Sequence, residues 1–371
     1  MRRLTVVQLL PALDAGGVEK STIEIAAALV AAGHRAIVVS AGGRLLPVLQ
    51  ATGAEHLALD IGRKSLLTLR HVPALRRLLR QVDADIVHAR SRQPAWLARL
   101  ALRGRPAGAR PHLVTTVHGL NSPSRYSAVM ASGERVICVS QTVHDYVLAH
   151  YPRTDPARLQ VIARGIDPAR FPRHAWPDAG ARAAVAARHP ALAGQGPLLL
   201  LPGRGTRLKG HADALALLAR LRDAGSDARL WLPGARQSGR ERYIDELERQ
   251  AVRLGVAQAV AFTEPTAAIV EAYAASDLVL QLSRKPEAFG RTVIEALAVG
   301  RPVLGWRHGG VGELLDALQP AGAVAPFDAD ALAVTATTLL RHPPALPPAI
   351  PHTLQAMQQA TLDLYDQLAR R

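Results

Sequence analysis

The stretch KPEAFGRTVIEALAVGRPVL, residues 285–304, sets one acid before a Phe-Gly-Arg-Thr turn and a second after it, then runs into an apolar helical pattern. Gly290, Arg291 and Thr292 lie where the helix should begin. Their N–H groups can therefore meet a phosphate, while Glu295, about one turn inside, can reach a neighbouring hydroxyl pair. Glu287 precedes the helix and can face a reacting sugar. Carboxylates beside a phosphate are repelled by it, so hydroxyls are their natural partners, such as those of ribose and of a sugar. Plainer readings stand beside these, with Glu295 as a helix-surface ion pair and Glu287 as a loop residue. The apolar neighbours Phe289, Ile294 and Leu297 favour a built site.

Outward from that stretch, short apolar runs alternate with helical patterns in both halves, the signature of parallel sheets covered by helices. In the first half strands read at 4–10, 35–41, 85–90, 112–118 and 135–140, with a helix at 17–33 ended by Gly33. The second half repeats the pattern in PLLLLPG, ARLWLPG, AVAFTEP, DLVLQLS and RPVLGWR. The fold class expected is α/β, with two Rossmann-like doubly wound domains. Prolines cluster and periodicity fails over 165–180, which places the boundary there. The expected domains are 1–170 and 171–352, with a last helix over 353–371 returning to the first. Ligands of open α/β sheets bind beyond the carboxyl ends of the strands, so two such domains are expected to face a central cleft.

Composition narrows the class. No apolar run approaches the roughly 18 residues of a membrane-spanning helix, although 49% of the 371 residues are hydrophobic and mean hydropathy is +0.07. The N-terminal MRRLTVVQLLPALDAGG is interrupted by Gln8 and Pro11, so it reads as a strand entering a glycine loop, and a cytoplasmic location is expected. The single cysteine, Cys138, excludes an internal disulfide and a cysteine-based zinc cluster. The net charge of +15 is unevenly placed. Residues 1–185 hold 25 Lys+Arg against 12 Asp+Glu (+13), leaving 20 against 18 (+2) for residues 186–371. A basic first half fits an anionic surface or substrate. Nucleic acid is a rival partner, but aromatics are only 4% and no recognition module is present, so no specific nucleic-acid binding is expected.

Three further motifs could carry chemistry. LPALDAGGVEKST puts Gly16, Gly17 and Lys20 after a strand and at a helix start, where backbone N–H groups can approach an anion or a sugar; an ordinary βα turn would look the same. In LLLLPGRGTRLKGH (198–211), Gly203, Arg204, Gly205, Arg207, Lys209 and Gly210 follow an apolar strand. Three cations among glycines suit a diphosphate, and the Walker pattern is absent; a basic surface loop is the alternative. TTVHGLN ends a strand with His118, either a structural histidine or one placed for a substrate hydroxyl.

Together these pieces resemble family 4 of the retaining, nucleotide-sugar-dependent glycosyltransferases, which have the GT-B fold. The family's E-x-F-G-x-x-x-x-E motif reads EAFGRTVIE from Glu287 to Glu295, its diphosphate-binding Arg and Lys match Arg204 and Lys209, its glycine loop matches Gly16 and Gly17, and its active-site histidine matches His118. VHARSRQPAW, VIARGIDPARF and KPEAFGRTVIEA are similar to the bacterial branch that builds lipopolysaccharide cores. The first carries Arg90. The second carries Arg164 where many members have Pro-Asn-Gly, which adds a cation near the expected cleft. The resemblance implies hexose or N-acetylhexosamine transfer from a nucleotide-diphosphate sugar, uridine favoured. It also implies a lipid-linked or phosphorylated glycan acceptor, and no metal or other cofactor. An epimerase of the same architecture is the rival enzyme. The basic half would sit on the anionic cytoplasmic face of the inner membrane. Residues 62–81 mix six cations with leucines, reading either as an amphipathic surface helix or as a sheet-covering helix with a basic outer face that Pro73 starts or kinks.

Overall fold

The computed structural model describes residues 2–14, 16–106, 108–109 and 111–370. Arg371, the end of the expected last helix, lies outside the described residues. The chain divides into two compact units, Met1–Gly165 with Leu354–Arg371, and Ile166–Thr353.

The first unit is a seven-stranded parallel sheet. Its strands are β1 (Thr5–Leu9), β2 (Arg35–Ser40), β3 (Glu55–Ala58), β4 (Ile86–Ala89), β5 (His112–Val117), β6 (Arg135–Cys138) and β7 (Leu159–Val161). They lie in the order β3-β2-β1-β4-β5-β6-β7, the doubly wound order, extended by one strand. Five of the seven are the apolar runs of the sequence, trimmed at their ends. β3 and β7 are edge strands of mixed polarity, so hydropathy alone does not reveal them; backbone pairing to β2 and β6 defines them. Helices cover both faces. Val6, Leu29, Leu364 and Tyr365 belong to one buried cluster, and Val7, Leu75, Leu79 and Leu97 to the other.

The C-terminal helix, Leu354–Ala369, joins the first unit through buried Met357, Leu364, Tyr365 and Leu368. The Tyr365 hydroxyl meets His88 Nδ1 at 2.5 Å, and His88 Nε2 lies 2.6 Å from Thr116 Oγ1. Burial pushes His88 well below its ordinary pKa, with Arg90 and Arg164 adding to the effect. Residues 62–81 resolve into a 3-10 turn (Leu66–His71) and a helix (Val72–Gln81) with Pro73 in its first turn. That helix buries Leu75 and Leu79, so it covers the sheet, and Arg76 donates to the carbonyls of Leu100 and Ala101 at the end of a neighbouring helix.

The second unit is a six-stranded parallel sheet of β8 (Leu198–Leu200), β9 (Arg229–Pro233), β10 (Val260–Thr263), β11 (Leu278–Gln281), β12 (Val303–Trp306) and β13 (Ala323–Val324). Its order is β10-β9-β8-β11-β12-β13, the same winding again. Leu198, Leu199 and Leu200 are fully buried, as a strand covered on both faces demands. The unit is closed where its ends meet, since Ile166 N–H donates to the His352 carbonyl and Ile166 bridges Thr353. Among the described residues no helix is long and apolar enough to cross a membrane.

Candidate functional site

Each sheet reverses its winding between its first and fourth strands, β1 and β4 in one unit, β8 and β11 in the other. The loops leaving the carboxyl ends of those strands therefore splay apart and leave a crevice. Gly16 and Gly17, Arg90, the Gly203–Lys209 run and Glu287 follow these strands, whereas His118 follows β5 and Arg164 follows β7.

In the second unit the loop after β8 carries Gly203, Arg204 and Lys209, and the loop after β11 carries Glu287. Lys209 Nζ donates to Glu287 Oε1 at 2.6 Å. Ser283 Oγ hydrogen-bonds the same carboxylate oxygen and lies 3.0 Å from Gln281 Oε1. The backbone makes this convergence possible. A side chain on Gly205 would put its Cβ 2.1 Å from the Ala235 carbonyl oxygen, and one on Gly210, which has a left-handed φ of 77°, would come within 2.0 Å of the Leu282 oxygen. Arg284 N–H also donates to the Leu208 carbonyl, tying the two loops together. Arg204 is exposed beside this cluster. Arg207, the third cation of the motif, turns away to pair with Glu246 and lies over the Tyr243 ring.

The helix Arg291–Val299 starts at Gly290, whose φ of 115° places it where an L side chain is strained, and a Cβ there would meet Val311 at 3.0 Å. Phe289 is buried, with its ring 5.7 Å edge-on from His352. Gly310 N–H donates to the Glu287 carbonyl, so the start of a second helix, Gly309–Leu318, is fastened to the same loop. Glu295 is half-buried and accepts from the Tyr273 hydroxyl at 2.8 Å, and Thr292 also hydrogen-bonds that hydroxyl.

In the first unit a hollow of about 350 Å³ opens at the carboxyl ends of β1, β4 and β5, lined among others by Lys64, Arg90, Arg92 and His118. Gly16, Gly17 and Lys20 are exposed at the start of the Gly17–Ala31 helix. Arg90 is 2% exposed and donates to Gln8 Oε1 and the Ser21 carbonyl; burial lowers its pKa to about 10. Arg164, also buried, donates to Ser21 Oγ at 2.6 Å and to His118 Nδ1. A guanidinium only donates, so Nδ1 must hold its lone pair and the His118 proton sits on Nε2. Burial, reinforced by Arg164, Arg90 and His88, pushes the His118 pKa well below its ordinary value. Neutral His118 thus offers an Nε2–H, which finds no partner among the described residues.

Ser283, Gln281, Tyr273, Lys64 and Arg92 join the sites without having been singled out as site residues. Only their place after a strand marks Ser283 and Arg92 in the sequence, and Tyr273 carries no local signal. Among the described residues no group of three or more His, Cys, Asp or Glu could hold a metal ion.

Comparison with known proteins agrees with this layout. Residues 15–170 match the family described as Glycosyltransferase Family 4, and residues 186–350 the one described as Glycosyl transferases group 1. The D-inositol 3-phosphate glycosyltransferase of Rhodococcus jostii is 31% identical over 50% of this chain and 40% of its own. The chain thus spans about two fifths of the first curated relatives it matches. The GDP-mannose-dependent alpha-(1-6)-phosphatidylinositol monomannoside mannosyltransferase of Mycolicibacterium smegmatis is 27% identical, covering 78% of this chain and 79% of its own. Among solved structures, a glycosyltransferase from Rickettsia africae has a TM-score of 0.82 at 25% identity, covering 99% of both chains. Anabaena HepE in complex with UDP has 0.77 at 20% identity, covering 99% of this chain and 98% of its own. WaaG, a glycosyltransferase involved in lipopolysaccharide biosynthesis, has 0.66 at 20% identity, covering 98% and 94%. A glycosyltransferase family model is thus matched on each half, and the chain has the two-sheet GT-B fold along its whole length.

Proposed function

We propose that the chain is a retaining glycosyltransferase. It moves a hexose or N-acetylhexosamine from a nucleotide-diphosphate sugar, a UDP-sugar by preference, to a lipopolysaccharide-core or related membrane-anchored glycan, with no metal. The observation that carries the reading is the meeting of Lys209, Glu287 and Ser283 beside the helix that starts at Gly290. A cation, a helix start and a carboxylate are what a diphosphate joined to a sugar requires. The solved neighbour with UDP supports uridine. The inositol-phosphate and phosphatidylinositol relatives support an acceptor that carries phosphate.

In this reading the bond between the anomeric carbon and the diphosphate oxygen breaks. Lys209, Arg204 and the N-terminal end of the Arg291–Val299 helix stabilise the charge that develops on the diphosphate. The acceptor hydroxyl oxygen takes the anomeric carbon from the face the diphosphate leaves, and its proton passes to a diphosphate oxygen. Glu287 holds hydroxyls of the transferred sugar once Lys209 turns to the diphosphate, and Glu295 holds the ribose. His118, fixed as a donor by Arg164, orients a sugar oxygen and takes no proton. The first unit is proposed to bind the acceptor at the cytoplasmic face of the inner membrane, its net +12, from 24 Lys+Arg against 12 Asp+Glu, drawing it to anionic lipid.

The test is thermal stabilisation by UDP, GDP and their sugar conjugates with EDTA present, followed by analysis of the anomeric product. A ligand that binds only the folded protein raises its melting temperature by mass action. Stabilisation by one nucleotide family and a retained anomeric configuration are expected. Stabilisation that disappears with EDTA, or a donor epimerised without transfer, would overturn the reading.

A further inference from the structure

We propose that the acceptor site of the first unit has two joined parts, the basic hollow for a phosphate and an apolar groove for the hydrocarbon chain attached to it. The acceptor is then a sugar or polyol linked through phosphate to a long alkyl or isoprenoid chain. The proposal rests on the glycosyltransferase reading above and names the acceptor class for it.

The hollow is charged more heavily than a neutral sugar needs. Lys64, Arg90, Arg92 and the His118 N–H donor line it, and among the described residues its lining includes no Asp or Glu. Arg90 is held in place by Gln8 and Ser21, and Arg92 by Ser127 Oγ at 3.2 Å and by the Tyr126 ring 5.4 Å away. These cations are fixed before any ligand arrives, so an anion entering the hollow meets a formed site.

The groove continues from the hollow. It measures about 600 Å³ and shares Lys64, Gln93 and Tyr126 with it, then runs on over Leu69, Trp96 and Leu100. Gln93, Trp96 and Leu100 lie on one helix, Arg92–Ala101, at spacings of three and four, so they form one face about 10 Å long. The shared wall is braced, because the Tyr126 hydroxyl donates to Gln93 Oε1 and Trp96 Nε1 donates to the Tyr126 carbonyl. Leu69 is 39% exposed and Leu67, in the same turn, 74% exposed. Apolar side chains left open beside fixed cations match an amphiphile, whose charged head fills the hollow and whose tail covers the leucines. A free sugar phosphate would leave the groove empty, and a neutral lipid would bring the cations no counter-charge.

The experiment measures binding of dodecyl phosphate, below its aggregation concentration, to the full chain by titration calorimetry. Butyl phosphate and dodecyl maltoside serve as the short-chain and uncharged controls. Dodecyl phosphate should bind one to one and on the order of 100-fold more tightly than butyl phosphate, the gain from burying between three and four of its extra methylenes at about four-fold each. Leu69→Asp, at an exposed position, should remove most of that advantage while leaving butyl phosphate binding and the melting temperature unchanged. Lys64→Gln should weaken both phosphates together. Equal binding of the two phosphates, or a Leu69→Asp variant that still prefers the long chain, overturns the proposal. So does a result in which Leu69→Asp abolishes adherence to phosphatidylglycerol vesicles but leaves one-to-one dodecyl phosphate binding intact, which would make this face a membrane contact instead. Stabilisation by UDP or GDP reads the second unit separately. If it persists while dodecyl phosphate fails to bind, only the acceptor class falls; if it fails while dodecyl phosphate binds, the donor reading falls.

Discussion

Acidification should weaken the second unit, and the most deeply buried of its shifted histidines is His211. This residue opens the helix His211–Asp223, directly after Lys209 and Gly210, and it is fully buried with its ring 6.0 Å edge-on from Tyr243. Neither ring nitrogen makes a well-aligned hydrogen bond among the described residues, and burial, with Lys209 adding and the Thr206 backbone opposing, lowers its pKa from 6.5 to about 4. Since the folded value lies below the unfolded one, the unfolded chain takes up the proton first. The stability held by neutral His211 is complete above about pH 6.5 and is lost as pH falls from there towards 4. At about 1.4 kcal/mol per pH unit for one proton, the loss is about 2 kcal/mol at pH 5. That is a large share of the 5–15 kcal/mol typical of a domain. Urea unfolding at pH 7.5, 6 and 5, followed by tryptophan fluorescence, measures it, because Trp176, Trp231 and Trp306 of the four tryptophans belong to the second unit. His211→Leu keeps the buried volume and removes the titrating group, so the variant should lose about 2 kcal/mol less than the natural chain between pH 7.5 and 5. Equal losses in the two proteins would show that burial of His211 carries no such penalty.

Tyr365→Phe removes the hydroxyl that meets buried His88 and should cost about 1–3 kcal/mol in urea unfolding, because a buried imidazole nitrogen loses its partner. Glu287→Gln should leave stability within about 1 kcal/mol, since its ion pair with Lys209 is about a quarter exposed on both sides. The same change should lower kcat for sugar transfer by on the order of 100-fold, and a variant with ordinary turnover would remove Glu287 from the site. Arg164→Gln withdraws the charge that helps depress His118, so the histidine should titrate closer to 6.5. In nitrogen NMR of the natural chain the His118 ring should show a proton on Nε2; a proton on Nδ1 would refute the Arg164 contact.

The residues legible in the sequence are those whose signal is local. An apolar run long enough for a two-faced strand, such as Leu198–Leu200, announces itself, and so does a glycine pair that backbone approach forces, as at Gly205 and Gly210. Edge strands such as β3 and β13 carry no such run, because half of what defines them is a partner distant in the chain. Charge is legible only as a count. The motif GRGTRLKG offers Arg204, Arg207 and Lys209 on equal terms, and spacing alone cannot separate them. What separates them is the helix Glu241–Arg253: its Glu246 and the Tyr243 ring draw Arg207 aside, while Lys209 reaches Glu287. Arg164 teaches the converse. It stands out in the sequence as a departure from a pattern, a cation where a smaller polar side chain is common. Its consequence, a histidine held neutral with its proton on the outer nitrogen, follows only once Ser21, Met357 and His118, remote from one another in the chain, are seen around one guanidinium. A substitution that adds a charge to a binding site therefore acts here on the protonation of its neighbour, so the chemistry to expect of His118 is donation of a hydrogen bond and not abstraction of a proton.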